Sequence, residues 1–236
     1  SRRGGWVGMK GRRGCVVLAG GSSSRFHGLD KALLDLGNGR TLLEEVAARL
    51  EFLDEVVIST SSAERAHRYH RLTGLNAVVD EYQGILGGVL AGCRALDCRE
   101  VLVVGVDMPF LKREVIDCEF AAMRGYQAVV PTHPNGFLEP LHSILSRTPA
   151  LGPLEAICRS GVRRVSRLFE TLNTYYMPVE AIRLIDPRLD CFTNVNDERS
   201  LGSVLARLAG GPPQARNSRS SSSGSARALT SSLERD

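Results

Sequence analysis

The residues best suited to chemistry follow a glycine pair near the amino terminus. Leu18-Ala19-Gly20-Gly21-Ser22-Ser23-Ser24-Arg25 is followed closely by Asp30-Lys31. Glycines at 20 and 21 let the backbone turn tightly and approach a ligand without Cβ interference. Successive amides in such a loop form an anion-binding nest. Arg25 adds a planar donor fork and Lys31 a compact point charge, a combination suited to gripping a polyphosphate. A bare Gly-Gly pair after a strand is an ordinary surface turn; the full string through Asp30-Lys31 points to phosphate. Neither G-x-x-x-x-G-K-[ST] nor G-x-G-x-x-G is present, which excludes a P-loop and a dinucleotide fingerprint.

Three further groups stand at comparable positions. Asp107 ends the apolar run Val101-Leu102-Val103-Val104-Gly105-Val106 and precedes Met108-Pro109-Phe110. A carboxylate there is a hard oxygen ligand for Mg²⁺, which is bound through one or two carboxylates plus substrate phosphates; the plainer reading is a helix cap or turn residue. Asp80 precedes Gly84-Ile85-Leu86-Gly87-Gly88 and suits either a base edge or support of a metal, although a lone Asp after a strand is commonly a turn residue. Glu139, in Glu139-Pro140-Leu141-His142, is a candidate contact to a second substrate, with solvated strand residues as the alternative. Arg163 and Arg164 are candidates for a phosphate of that substrate. Asn194 and Asn196 precede a helix, where capping is the default role and ligand contact the added one. His67 and His70 lack a third ligand and are set aside as a metal site. The serines at 22–24 have no nucleophile-elbow pattern and no evident base.

These residues need a scaffold that brings strand ends together. Apolar β-branched runs predict strands over Cys15–Ala19, Val56–Thr60, Ala77–Val79, Val101–Val106, Ala128–Pro131 and Thr174–Met177. Helical spacing predicts helices over Leu42–Leu53, Ala63–Leu72, Leu86–Leu96, Lys112–Arg124, Pro153–Arg159 and Asp197–Leu208. Thr41 followed by Glu44 is a capping box for the first helix. Alternation of near-continuous apolar strands with helices predicts a mostly parallel sheet covered on both faces, a three-layer αβα sandwich. In such open α/β sheets ligands bind outside the carboxyl ends of the strands.

Composition narrows the function classes. The chain of 236 residues carries a formal charge of +4, but the basic excess sits in its ends. Residues 1–14 hold five basic side chains and no acid, and the stretch from 211 holds four arginines against two acids, leaving the body net negative. A nucleic-acid binder is expected to carry its basic footprint on the folded body, so none is expected as a partner. Apolar runs fall far short of the roughly 18 residues that span a bilayer, so no membrane is expected either. Met9, Lys10, Arg12 and Arg13 before Cys15–Gly20 superficially resemble a secretion signal, but the apolar stretch is too short. The six cysteines form no Cys-x-x-Cys pair, and a reducing, cytoplasmic setting is expected. The expected organisation is a flexible basic extension over 1–13, one domain over 14–209 and a disordered Ser/Arg-rich tail over 210–236.

In order along the chain, Leu-Ala-Gly-Gly-x-Ser-x-Arg…Asp-Lys, Asp80 with Gly84–Gly88, Asp107-Met-Pro-Phe and Asn194-Val-Asn resemble the molybdenum cofactor guanylyltransferases. These sit within the wider nucleoside-triphosphate transferase superfamily, and the resemblance covers about residues 14–208. It implies a Rossmann-like nucleotidyltransferase fold and transfer of GMP from GTP to the phosphate of molybdenum-bound molybdopterin, with Mg²⁺ as cofactor. It also implies handover to molybdoenzymes or other cofactor-assembly proteins. The matching positions imply nucleotide contacts from the backbone of Leu18, Ala19, Gly20 and Gly21, phosphate contact from Lys31, and Mg²⁺ on Asp107. Asp80 matches a nucleotide-contacting aspartate, and a family asparagine falls near Ser59 or Thr60. Arg25, Lys31 and Asp107 are then the catalytic charges. His27 stands where glycine is frequent, and Ile85 replaces a usual proline. The alternatives are a cytidylyltransferase acting on molybdopterin or on a sugar or polyol phosphate, and a non-catalytic nucleotide- or molybdopterin-binding module.

Overall fold

The computed structural model describes residues 12–20 and 28–210. The basic extension through residue 11, Gly21, Arg25, His27 and the Ser/Arg-rich stretch from 211 lie outside the described residues.

Among the described residues seven strands form one sheet in the order β3-β2-β1-β4-β6-β5-β7. They are β1 (Arg13–Leu18), β2 (Glu55–Thr60), β3 (Asn76–Val79), β4 (Glu100–Gly105), β5 (Ala128–Thr132), β6 (His142–Ser146) and β7 (Thr174–Pro178). Every neighbouring pair is parallel except the two that involve β6, which runs antiparallel to both β4 and β5. The sheet is therefore mostly parallel, with one reversed strand. β1 starts two residues earlier than its apolar run, because Arg13 pairs with Glu100 of β4.

The helices are α1 (Leu42–Ala48), α2 (Ala63–Thr73), α3 (Ile85–Ala95), α4 (Arg113–Ala122), α5 (Arg147–Ser160), α6 (Ser166–Thr171), α7 (Val179–Arg183) and α8 (Glu198–Leu208). Side-chain alternation along each strand sends successive residues to opposite faces, so the core divides in two. Cys15, Val17, Ile58, Leu102 and Val104 pack with Leu43 and Val46 of α1, Leu50 in the turn after it, Tyr69 of α2, and Val115, Ile116 and Phe120 of α4. Val16, Val57, Val101 and Val103 pack with Leu86, Val89 and Leu90 of α3, Leu154 and Ile157 of α5, and Leu168 and Phe169 of α6. This is the three-layer sandwich expected from the alternation.

Local caps agree with the residues that signalled them. Thr41 and Glu44 close a capping box at α1, and Asp197 with Ser200 closes another at α8. Helix α1 ends at Ala48 rather than Leu53, and the chain continues through turns to β2. Helix α5 begins at Arg147, six residues before its expected start, and carries Pro153 inside it. Among the described residues no helix is long and apolar enough to cross a membrane.

Candidate active site

A cleft of about 1060 Å³ opens at the carboxyl ends of β1, β3 and β4. Leu18, Ala19 and Gly20 line it from the end of β1, Asp80 from the end of β3, and Gly105, Val106 and Asp107 from the end of β4. Asp30, Lys31 and Ala32 enter from a short 3₁₀ turn (Lys31–Leu33), Ile85 and Gly88 from the first turn of α3, and Arg163 from the connection between α5 and α6. Strand pairing continues past the strand ends and sets this geometry. The amide of Ala19 donates to the Ser59 carbonyl at 2.8 Å, Asp80 to the Thr60 carbonyl at 2.9 Å, and Val106 to the Leu18 carbonyl at 3.0 Å.

Lys31 and Asp107, 76 residues apart in sequence, meet across the cleft: Lys31 Nζ donates to Asp107 Oδ2 at 3.1 Å. Their side chains are 24% and 18% exposed, enough for a ligand to reach them. Asp107 caps no helix, because α4 begins at Arg113 after Lys112. Its carboxylate stands over the backbone of Gly105, where a Cβ would run into Oδ1. The Asp107 carbonyl accepts from the Val195 amide at 2.8 Å, which ties the Asn194-Val195-Asn196 segment to the cleft floor.

Asp80 is held by a fully buried neighbour: Ser59 Oγ donates to its Oδ1. Burial pushes the Asp80 carboxyl above its ordinary value, and the Ser59 hydrogen bond pulls it partly back. Gly88 lets α3 approach this pair. A Cβ there would sit 2.8 Å from Leu18 Cδ2, 3.2 Å from Ser59 Oγ and 3.4 Å from Asp80 Oδ2.

The remaining candidates divide. Arg163 lines the cleft and donates to Gln83 Oε1 at 3.4 Å. Arg164, the arginine assigned to the second substrate, does not line the cleft but pairs with Glu170 at 3.0 Å. Glu139 lies off the lining, 2.8 Å from His133 Nε2. His142 is a fully buried member of β6, with Nδ1 2.8 Å from Glu119 Oε1, so it is neither solvated nor available to substrate. Ser59 contributes only through Asp80. Asn194 has a buried Oδ1 with no hydrogen-bond partner among the described residues. Asn196 is exposed, and its amide donates to Ser200 Oγ at the start of α8. The arrangement also reveals Arg65 in the lining and Tyr69 behind it, which sequence reasoning passed over, and gives Asp30, read from sequence only as part of the Asp30-Lys31 string, a place of its own in the lining. A tyrosine at helical spacing carries no signal that its hydroxyl reaches a residue 39 positions away.

Such a cleft combines close backbone approach, a lysine against an acid, and a second carboxylate at the far strand end. Residues 15–175 match the family described as MobA-like NTP transferase domain. The chain belongs to that family. Among MobA-like relatives, a probable molybdenum cofactor guanylyltransferase from Thermococcus gammatolerans is 34% identical over 80% of this chain and 97% of its own length. One of the same description from Pyrococcus horikoshii is 38% identical over 79% of this chain and 95% of its own. The solved molybdopterin-guanine dinucleotide biosynthesis protein A from Archaeoglobus fulgidus superposes with a TM-score of 0.74 at 26% identity, covering 84% of this chain and 99% of that one. A 2-C-methyl-D-erythritol 4-phosphate cytidylyltransferase from Thermus thermophilus shares the fold at a TM-score of 0.59 and 20% identity.

Proposed function

We propose that this MobA-like transferase moves GMP from GTP to the phosphate of molybdenum-bound molybdopterin, forming the guanine dinucleotide cofactor and releasing pyrophosphate. The observation that carries the reading is the Lys31–Asp107 contact within a cleft that also holds Asp80. The names of relatives at 34% and 38% identity over most of both chains support guanine and molybdopterin as substrates. The cytidylyltransferase likeness, at 20% identity, supports the fold alone.

The residues suit an attack by one phosphate on another. An oxygen of the acceptor phosphate forms a bond to the α-phosphorus while the bond from that phosphorus to the bridging oxygen of the β-phosphate breaks. A phosphate nucleophile is already ionised at neutral pH, so no general base is required, which accords with His142 lying outside the cleft. Catalysis then rests on positioning and on stabilising concentrated negative charge. Lys31 and Arg163 supply positive charge to the phosphates, with Arg25 assigned the same role from sequence. Gly20 in the lining brings the main chain close, with Gly21 assigned the same role from sequence. Asp80, whose Oδ2 lies beside Gly20 and Gly88, accepts from the N–H groups of the guanine edge.

Mg²⁺ fits the residues present. Asp107 offers a partly exposed carboxylate, and Asn194, next to the residue bonded to the Asp107 carbonyl, offers a buried oxygen with no partner among the described residues. Both are hard oxygen donors of the kind Mg²⁺ takes alongside substrate phosphates. When bound, the ion supplies neutralisation of phosphate charge. A cytoplasmic setting belongs to this reading and is supported by six free cysteines, four of them buried. Thermal shift with GTP, CTP, ATP and UTP in the presence of magnesium tests base choice, because a ligand that binds only the native state raises the melting temperature. GTP is expected to stabilise most; stabilisation by CTP alone overturns guanylyl transfer.

A further inference from the structure

The cleft contains an apparent contradiction. It is built to take a polyphosphate, yet the Asp30 carboxylate lines it directly beside Lys31. An uncompensated anion there would repel the phosphates or pull the turn that carries Lys31 out of place. Asp30 does neither, because its oxygens are engaged elsewhere. The Tyr69 hydroxyl lies 2.9 Å from both Oδ1 and Oδ2, sharing one proton between them. The Ala32 amide donates to Oδ1 at 3.2 Å, and Arg65 Nε stands 3.6 Å from Oδ2. Tyr69 itself is fully buried and does not line the cleft. Burial and the Asp30 carboxylate both push its hydroxyl well above its ordinary pKa, so it remains a donor.

We infer that Tyr69 is a positioning residue for Lys31, acting through Asp30. Asp30 is the cap of the 3₁₀ turn that starts at Lys31, with its carbonyl accepting from Leu33 at 3.0 Å. Beyond the turn, the Leu42 amide donates to the Leu34 carbonyl at 2.9 Å and Asp35 bridges to Thr41. Those contacts fix the carboxyl side of the turn to α1. Tyr69 fixes the amino side to α2, and Lys31, between the two anchors, is aimed at Asp107. The role in transfer rests on the function proposed above; the effect on Lys31 does not.

The test is a mutant cycle with two independent readouts. Tyr69→Phe keeps the ring packed in the core and deletes only the hydroxyl. In the nucleotide-free protein, acylation of Lys31 by a succinimidyl ester, followed by mass spectrometry, is expected to accelerate by about 10-fold, the equivalent of one hydrogen bond to a charged group. Lys112, paired with Asp186, should keep its rate and serves as the internal reference. An unchanged Lys31 rate overturns the inference whatever the enzyme does. In the second readout, Tyr69→Phe is expected to weaken GTP binding or lower kcat by a similar factor in the wild-type background. In a Lys31→Met background the same substitution should change neither by more than about 2-fold, because residues acting through one another are non-additive. Equal losses in both backgrounds would assign Tyr69 a general structural role and overturn the proposal. Faster Lys31 labelling in a protein without guanylyl transfer would leave the inference standing and refute the function instead. Should Tyr69→Phe fail to fold, Asp30→Asn weakens the same contact from its acceptor side and is expected to move Lys31 labelling in the same direction; no change there overturns the inference.

Discussion

Replacing Lys31 by Met keeps the aliphatic stem and deletes the ammonium that faces Asp107. In the nucleotide-free protein that ammonium lies 3.1 Å from Oδ2, with less than a quarter of either side chain exposed. At an effective dielectric of about 20, charges that close attract by about 5 kcal/mol. Desolvation of the two groups cancels much of this, leaving about 1.5–3 kcal/mol, the usual worth of a hydrogen bond between charged partners. A divalent cation that uses Asp107 must displace the lysine and meet that cost, since one carboxylate oxygen is already taken. Lys31→Met therefore should raise the cation affinity of the nucleotide-free protein by roughly one to two orders of magnitude, at a factor of ten per 1.4 kcal/mol. The assay is electron paramagnetic resonance of free Mn²⁺, another cation that favours oxygen ligands, titrated into wild type, Lys31→Met and Asp107→Asn. Equal affinity in wild type and Lys31→Met refutes the competition. Undiminished binding by Asp107→Asn refutes the site.

Other substitutions probe the remaining links. Lys31→Ala and Asp107→Ala should each keep the fold by circular dichroism and lower turnover by at least about 10²-fold, the usual loss on deleting an electrostatic contact to the reacting groups; near-normal turnover removes that residue from the mechanism. Because burial raises the Asp80 carboxyl, nucleotide affinity should fall as acidification protonates Asp80, beginning above the ordinary carboxylate range. Ser59→Ala removes the contact that favours the ionised form, so the same fall should move to higher pH in isothermal titrations, and an unmoved profile would separate Ser59 from Asp80. Gly92→Ala puts a Cβ into the Cβ and both γ-methyls of Val16, whose branched side chain has little rotamer freedom. Overpacking of about 1–3 kcal/mol should outweigh the roughly 1 kcal/mol gained in helix propensity and lower the urea midpoint.

What the sequence revealed follows physical lines. Val101 to Val104 and Cys15 to Val17 are apolar on both faces, which only a central, doubly covered strand requires, and both lie at the centre of the sheet. Asp107 was legible because an acid directly after such a run must sit at the strand end where ligands bind. Strand β6 was not, because Glu139 to His142 read as a substrate contact or as solvated residues, while His142 is buried against Glu119 from α4. That burial depends on a partner 23 residues away, which no local pattern encodes. Helix α5 hid its start behind Pro149 and Pro153: Pro149 falls in the first turn, where the missing amide has no partner in any case, whereas Pro153 stands inside the helix. The adjacent arginines illustrate the same limit: only the folded loop shows Arg163 in the cleft and Arg164 turned to Glu170.

The most direct test of guanylyl transfer mixes the folded protein with GTP, Mg²⁺ and molybdenum-molybdopterin and follows pyrophosphate and dinucleotide together by mass spectrometry. Equal amounts of the two products, abolished by Asp107→Ala, are the expected result. Protein that binds GTP tightly yet forms neither product under these conditions would contradict it.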